Sequence, residues 1–244
     1  MTSNLFFIEK KKINGRRMVL EGPEHHHLFR VVRSQPGDIV RFFDEDGDRY
    51  EARIETIGTA RTELVLLART GPAERRTRII LGQALLKSKA MDLVVQKAAE
   101  FGLFAVVPIV ASRSVARIEE GGGKKIERWT KIAREASKQS KWGLMPRIHP
   151  PLNLAAFLRS RGAGLAFFLS ENDGRPLRDV VAGVAERPPA EAAALIGPEG
   201  GWTGEEESLM IEAGLEAVSL GRAILRAETA AIAAAAILSH FWIS

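Results

Sequence analysis

The chain has 244 residues, of which 45% are hydrophobic and 27% charged, and its net charge is +5. That length holds one large domain or two smaller ones with ample core, and the composition is ordinary for a globular protein. The absence of cysteine excludes disulfides, thiolate metal sites and cysteine nucleophiles, and no apolar run is long enough to span a bilayer.

Met1-Thr2-Ser3-Asn4-Leu5 lacks the basic and apolar regions of a signal peptide, so the expected location is the cytoplasm. Residues 1 to about 70 read as β-rich. Leu5-Phe6-Phe7-Ile8 and Arg17-Met18-Val19-Leu20 are strand candidates, and Glu24 to Val32 fits one helix with Leu28, Val31 and Val32 on its apolar side. Asp38 to Phe43 and Tyr50 to Ile54 flank Asp44-Glu45-Asp46-Gly47, whose Asp-Gly step signals a hairpin. Leu64 to Leu67 adds a strand. Several short strands with tight turns predict a small barrel.

Gly71-Pro72-Ala73-Glu74-Arg75-Arg76 is the linker candidate, where turn formers give way to charge. The expected division is residues 1–72 and 73–244. Beyond it strands and helices alternate. Ile79 to Leu81 is a strand; Met91, Val94, Val95, Ala98 and Phe101 mark a helix that Gly102 ends. Ala105 to Val110 is a strand whose Pro108 predicts an end or edge position. A basic helix, opened by Gly121-Gly122-Gly123, carries Ile126, Trp129, Ala133 and Ala136. Leu154 to Leu158 is a short helix and Leu165 to Leu169 a strand. This alternation predicts an α/β domain with a mostly parallel sheet covered on both faces.

Two glycine loops close the chain. Ala192 to Ile196 reads as a buried strand that stops at Gly197-Pro198-Glu199-Gly200-Gly201, and Thr203-Gly204-Glu205-Glu206 has the spacing of a capping box. Val218-Ser219-Leu220 ends another strand, Gly221 turns, and Ile224 to Thr229 leads into the helix-forming run Ala230 to Ala236. Strand, glycine loop, helix is how α/β proteins bring main-chain N–H groups to a ligand. Neither the phosphate-loop pattern with its lysine nor a dinucleotide fingerprint is present, which points to a ligand read by the backbone and not through a diphosphate. Taken alone, the loops read equally as plain connections.

The polar candidates have bland alternatives. Adjacent positions in the His25-His26-His27 run point in different directions, so the three cannot converge on one metal. A solvated face is the favoured reading there, with one histidine meeting RNA. Arg30 and Arg33, one turn apart, fit phosphate contacts or a solvated basic face. The same choice covers Arg75-Arg76 and the helix with Lys124, Lys125, Arg128, Lys131, Arg134 and Lys138. By spacing alone Arg226 and Glu228 read as a surface pair or a helix cap. No nucleophile elbow, His-Glu-x-x-His or EF-hand loop occurs, which argues against hydrolase and metal chemistry.

Taken together, Leu195-Ile196-Gly197-Pro198-Glu199-Gly200-Gly201, Leu220-Gly221 and Ile224-Leu225-Arg226-x-Glu228-Thr229-Ala230 resemble the RsmE family. Its members are uridine-N3 methyltransferases of small-subunit (16S) ribosomal RNA, of the SPOUT class. His26-His27-Leu28-x-Arg30-Val31-x-Arg33 and Pro36-Gly37-Asp38 are similar to its N-terminal PUA-like barrel. Gln83-Ala84, Lys87, Met91-Asp92, Gln96-Lys97-Ala98, Glu100-x-Gly102, Pro108, Arg113-Ser114 and Glu135-Ala136-x-x-Gln139-Ser140 are similar to its catalytic domain.

The resemblance implies a PUA-like RNA-binding β-barrel followed by a SPOUT domain with a C-terminal trefoil knot, acting as a homodimer on 16S ribosomal RNA within the small subunit. It implies S-adenosylmethionine (SAM) as methyl donor and no metal. The SAM loops carried over are Leu169-Ser170-Glu171, Ile196-Gly197-Pro198-Glu199-Gly200-Gly201, and Leu220-Gly221 with Ile224, Leu225, Arg226, Thr229 and Ala230. Arg226 is the expected catalytic cation, steadying the ring or its phosphate, with Glu199 and Glu228 as candidates for the proton. His27, Arg30, Arg33, Lys87, Arg113 and Trp142 are the expected RNA contacts. Lys141-Trp142-Gly143-Leu144-Met145-Pro146 departs from the family's arginine-containing segment; Trp142 either stacks on a base or is packed. The alternative function is a non-catalytic RNA-binding or ribosome-assembly factor, and a third is a nucleotide-dependent enzyme, which the missing loop lysine disfavours.

Overall fold

The structure, a computed structural model, describes residues 4–72, 76–115, 123–162, 164–171 and 174–243. Ala73-Glu74-Arg75 of the linker candidate and Gly121-Gly122 before the basic helix lie outside the described residues. The chain divides into two compact units, Met1–Glu74 with Arg134–Met145, and Arg75–Ala133 with Pro146–Ser244.

In the first unit the elements are β1 (Leu5–Phe7), β2 (Ile13–Asn14), β3 (Arg17–Glu21), α1 (Gly22–His26), β4 (Ile39–Phe43), β5 (Arg49–Ile57) and β6 (Arg61–Thr70). α1 runs on as a π-helical stretch, His27–Val32. The strands form one sheet in the order β1-β4-β5-β6-β3-β2, with β1 parallel to β4 and the other pairs antiparallel. Phe6 of β1, Met18 and Leu20 of β3, Leu28, Val40 and Phe42 of β4, Ile54 of β5 and Leu64 of β6 share one buried cluster. A flat six-stranded ribbon cannot bring both ends to one core, so the sheet curls around it; register shifts between β5 and β6 supply the bend. The expected hairpin is present, and its turn is built on Asp44. That carboxylate accepts from the Asp46 and Asp48 N–H groups at 2.9 and 3.0 Å and from the Tyr50 hydroxyl at 2.6 Å. Burial, then that bond to Asp44, push the Tyr50 phenol well above its ordinary range.

Three expectations need correction here. Val31 is 64% exposed and not on the apolar side, because the π-helical turn changes the angular step between residues. The histidine run is not uniformly solvated: His25 is buried, its Nδ1 2.9 Å from the Thr62 hydroxyl, while His26 is exposed. Nor is the basic helix wholly solvated. Arg134 lies 4.1 Å over the Phe7 ring, and Lys138 is buried between Glu24, at 2.6 Å, and Glu135, at 2.9 Å.

The second unit contains β7 (Arg78–Ala84), α2 (Ser88–Glu100), β8 (Ala105–Val110), α3 (Gly123–Gln139), β9 (Arg147–Ile148), β10 (Leu152–Asn153), α4 (Leu154–Ser160), β11 (Leu165–Leu169), β12 (Arg175–Pro176), α5 (Leu177–Gly183), β13 (Glu191–Ile196), α6 (Gly204–Glu212), β14 (Glu216–Ser219) and α7 (Ala227–Trp242). α3 ends within the first unit. The strands make one parallel sheet in the order β10-β8-β7-β13-β11-β14-β12, with β9 beside β8. Pro108 sits where its missing N–H costs nothing: β9 pairs Ala105 and Val106 and β10 pairs Ile109 and Val110, leaving it in the gap between.

Both faces of the sheet are covered. Ala193 and Leu195 of β13 share a core with Leu154 and Phe157 of α4 and Met210 of α6. The alternate residues Ala192, Ala194 and Ile196 are equally buried, and α7 packs on β7, β13 and α2. Buried alternation of this kind is what a doubly covered parallel strand requires.

Replacing Lys138 by Met is expected to cost about 2–3 kcal/mol, because Glu24 loses its cation in a buried setting. Adding Glu24→Gln recovers much of that; urea denaturation of both variants checks it. Desolvation lowers the Lys138 ammonium pKa, but the bonds to Glu24 and Glu135 raise it by more, leaving it above 10.5. The pair's contribution is therefore complete at neutral pH and lost as pH rises through that raised value, which unfolding midpoints on the alkaline side read directly.

Candidate active site

β13 and β14 flank β11, so the segments after these three strands emerge side by side at one carboxyl edge of the sheet. They are Ser170-Glu171, the loop from Gly197 to Thr203, and the loop from Leu220 to Arg226. A cavity of about 220 Å³ lies among them. A second, of about 930 Å³, adjoins it beside the start of α2 and of α7. Crevices at the carboxyl ends of parallel strands are where open α/β folds hold ligands.

The first glycine loop is fastened at every turn. The Gly201 N–H donates to the Pro198 carbonyl at 3.0 Å, closing a turn in which Gly201 takes φ +69°. The Gln83 amide reaches the Gly197 carbonyl at 3.4 Å. Arg113 Nη1 donates to the carbonyls of Gly200, at 2.9 Å, and Trp202, at 3.3 Å. Thr203 then opens α6 with the capping box anticipated from its spacing: its hydroxyl accepts from the Glu206 N–H, and the Glu206 carboxylate accepts from the Thr203 N–H at 2.9 Å. The other Glu206 oxygen takes the Ser112 N–H at 2.8 Å, so the cap also ties down the turn after β8. Bonds from its own N–H, then from the Thr203 hydroxyl, hold the neighbouring Glu205 carboxyl below its usual range. Trp202 is buried under the loop, and a β-carbon at Gly197 would lie 3.2 Å from its indole nitrogen.

The other two segments are held less by side chains than by the sheet. The Ser170 N–H bonds to the Val218 carbonyl at 3.0 Å, and the Ser170 hydroxyl to Glu207 at 3.2 Å. Arg226 occupies the N-cap position of α7 without a side-chain capping bond, so capping is not its role. α7 buries Ala227, Ala231, Ala234 and Ala235, and these small side chains let it lie close behind the loops.

The smaller cavity gathers nearly all the expected SAM positions: Leu169, Ser170, Glu171, Ile196, Gly197, Pro198, Gly200, Gly201, Leu220, Gly221, Ile224, Leu225 and Ala230. Glu199 and Arg226 line the larger cavity instead, with Glu228, while Thr229 is exposed and lines neither. Of the residues expected at RNA, Lys87 lines the larger cavity, and Arg113 lines the smaller one, where it serves the loop carbonyls. His27, Arg30, Arg33 and Trp142 belong to the first unit. Arg30 and Arg33 are exposed, the His27 ring lies 5.4 Å from that of Phe6, and the Trp142 carbonyl accepts from Arg49. Sequence reading missed Trp202, Glu207 and Lys89 as lining residues. Only the position of Trp202, directly after the glycines, carried any signal for this.

A family model for an RNA methyltransferase domain matches residues 73–239, and one for an RNA methyltransferase PUA domain matches residues 20–66. The curled N-terminal sheet and the parallel-sheet domain with its loop-lined crevice thus define an RNA methyltransferase carrying a PUA domain. Relatives with the name ribosomal RNA small subunit methyltransferase E include that of Synechocystis, 31% identical over 226 residues (91% of this chain and 73% of that one), and that of Bacillus subtilis, 27% identical over 227 residues (91% and 89%). The enzyme of that name from Neisseria gonorrhoeae, solved bound to SAM, superposes with a TM-score of 0.85 at 29% identity over 98% of both chains. A Legionella pneumophila methyltransferase solved with SAM gives 0.84 at 27%, again over 98% of both. The chain belongs to the small-subunit ribosomal RNA methyltransferase E family.

Gly201→Ala is expected to lower stability by about 1–2 kcal/mol, since φ +69° is strained for any residue with a β-carbon. Gly204→Ala, in the first turn of the adjoining helix α6, is the matched control and is expected to be neutral or stabilising. Chemical denaturation of the two variants measures the difference.

Proposed function

We propose that this protein transfers the methyl group of SAM to N3 of a uridine in 16S ribosomal RNA, with SAM in the smaller cavity and the target base in the larger. The observation that carries the reading is that loops from three adjacent strands meet around one cavity. The lining fits the donor. Leu169, Ile196 and Leu225 offer apolar surface for a flat base, and Gly197, Gly200 and Gly201 bring backbone to the cavity with no side chain of their own. Gly197 to Thr203 has no lysine to neutralise a diphosphate.

Bound SAM supplies an electrophilic methyl group on a sulfonium, so the chain's own work is placement and charge. Gln83, Arg113 and Glu206 keep the loop in shape before any ligand arrives. As N3 of the uracil is alkylated its proton leaves and negative charge develops on the ring. Arg226, exposed in the larger cavity with Lys87 and Lys89, is the cation for that charge or for the adjoining phosphate. Arg30 and Arg33 of the PUA unit serve the RNA backbone. The resemblance further supports a cytoplasmic homodimer with the trefoil knot of its class, working on RNA within the small subunit. Ile224 and Phe241, 77% and 53% exposed, offer apolar surface for a second copy to cover.

Calorimetric titration of the purified protein with SAM is expected to show saturable binding; no heat would sink the reading. Mapping 3-methyluridine in ribosomal RNA from cells with and without the gene tests the substrate. Arg226→Ala is expected to reduce methyl transfer about 100- to 1,000-fold with SAM affinity nearly unchanged. Arg113→Met is expected to do the reverse, weakening SAM binding about tenfold or more because two loop carbonyls lose their charged donor.

A further inference from the structure

Among the described residues, five border both cavities: Glu171, Pro198, Ile224, Leu225 and Ala227. If donor and base occupy the two cavities, this shared wall is where the methyl group passes and where the N3 proton must be received. Four of the five have apolar side chains. Glu171 is the one ionisable side chain among them.

Its setting suits the task. Glu171 follows β11 by two residues and is exposed, and its carboxylate rests against Gly201 of the neighbouring loop. Both carboxylate oxygens lie 3.7–3.8 Å from the place a β-carbon on Gly201 would occupy. The bare α-carbon leaves that space free, and Glu171 is among the residues that line both cavities.

The other described carboxylates at the two cavities are placed differently. Glu207 borders the smaller cavity alone and takes the Ser170 hydroxyl at 3.2 Å. Glu199 borders the larger cavity alone, with one oxygen 3.4 Å from the Lys87 N–H. Glu228 also borders only the larger cavity, in the first turn of α7, where a carboxylate is drawn to the helix N-terminus.

We propose that Glu171 is the general base of the reaction, taking the N3 proton of the target uridine as the methyl group arrives. The N–H bond breaks toward the carboxylate, and the electron pair left on N3 forms the new N–C bond. The C–S bond breaks with its electrons going to sulfur, which leaves neutral S-adenosylhomocysteine, methylated uridine and a protonated Glu171. Charge and atoms balance without another reactant. The proposal rests on the placement of SAM and uridine given above, and it replaces Glu199 and Glu228 as proton acceptors.

The test compares Glu171→Gln and Glu171→Asp with the unaltered full-length protein, using SAM and small subunits from cells lacking the gene. Glu171→Gln is expected to lower kcat about 100-fold or more and to abolish the acid limb of the pH–rate profile, while Glu171→Asp keeps that limb with a smaller loss. Calorimetry should find SAM affinity in Glu171→Gln within about threefold of the original, since the base is not needed to hold the donor. Glu199→Gln and Glu228→Gln should each retain the acid limb, whatever their rates. The proposal is overturned if Glu171→Gln keeps its rate and acid limb, or if its only defect is lost SAM binding. An original protein that binds no SAM would remove the functional reading beneath it, a result distinct from either.

Discussion

The arrangement on which everything else rests is the insertion of β14 between β11 and β12. β11 and β12 are consecutive in the chain, with only residues 170–174 between them, yet each pairs in parallel with β14 and not with the other. The contact is close: a β-carbon on Gly174 would lie 2.7 Å from the Val218 carbonyl carbon, so no larger residue fits there without displacing the strand. The last strand thus lies between two strands that follow one another in the chain. Its carboxyl end, with the loop from Leu220 to Arg226, comes to lie beside the segment after β11.

With β13 on the other side of β11, three loops distant in sequence converge, and the rest of the unit keeps them there. Hydrogen bonds hold the Gly197, Pro198, Gly200 and Trp202 carbonyls and the Gly201 and Thr203 N–H groups of the loop from Gly197 to Thr203. Arg113 and Glu206 add ties to the turn after β8. A site of this kind recognises its ligand by shape and main-chain groups, so rigidity replaces dedicated side-chain chemistry. The alanine-rich α7 contributes by being thin.

Charge in the molecule serves two purposes that composition cannot separate. Lys138, Arg134 and Arg113 are consumed in structure: an ion pair, a ring contact and a carbonyl clamp. Arg30, Arg33, Lys87, Lys89 and Arg226 are exposed, the last three around the larger cavity. A net charge of +5 says nothing about this division, because it depends on which carboxylates and carbonyls lie within reach after folding.

Local patterns decided what local physics controls. The Asp44–Gly47 turn, the Thr203–Glu206 cap, the strand from Ala192 to Ile196 and the alanine helix were all legible, since each depends on neighbours within a few residues. The glycine loops were legible as loops, and the family resemblance supplied their ligand. Exposure of Val31 was not legible, because a π-helical turn breaks the 3.6-residue period on which such readings depend; burial of His25 was not, because its partner Thr62 lies 37 residues away on β6. The second employment of Arg113 and the shared position of Glu171 were also beyond reach. Both depend on strands far apart in the chain becoming neighbours in a sheet, and strand order is a property of the whole fold that no segment of sequence contains.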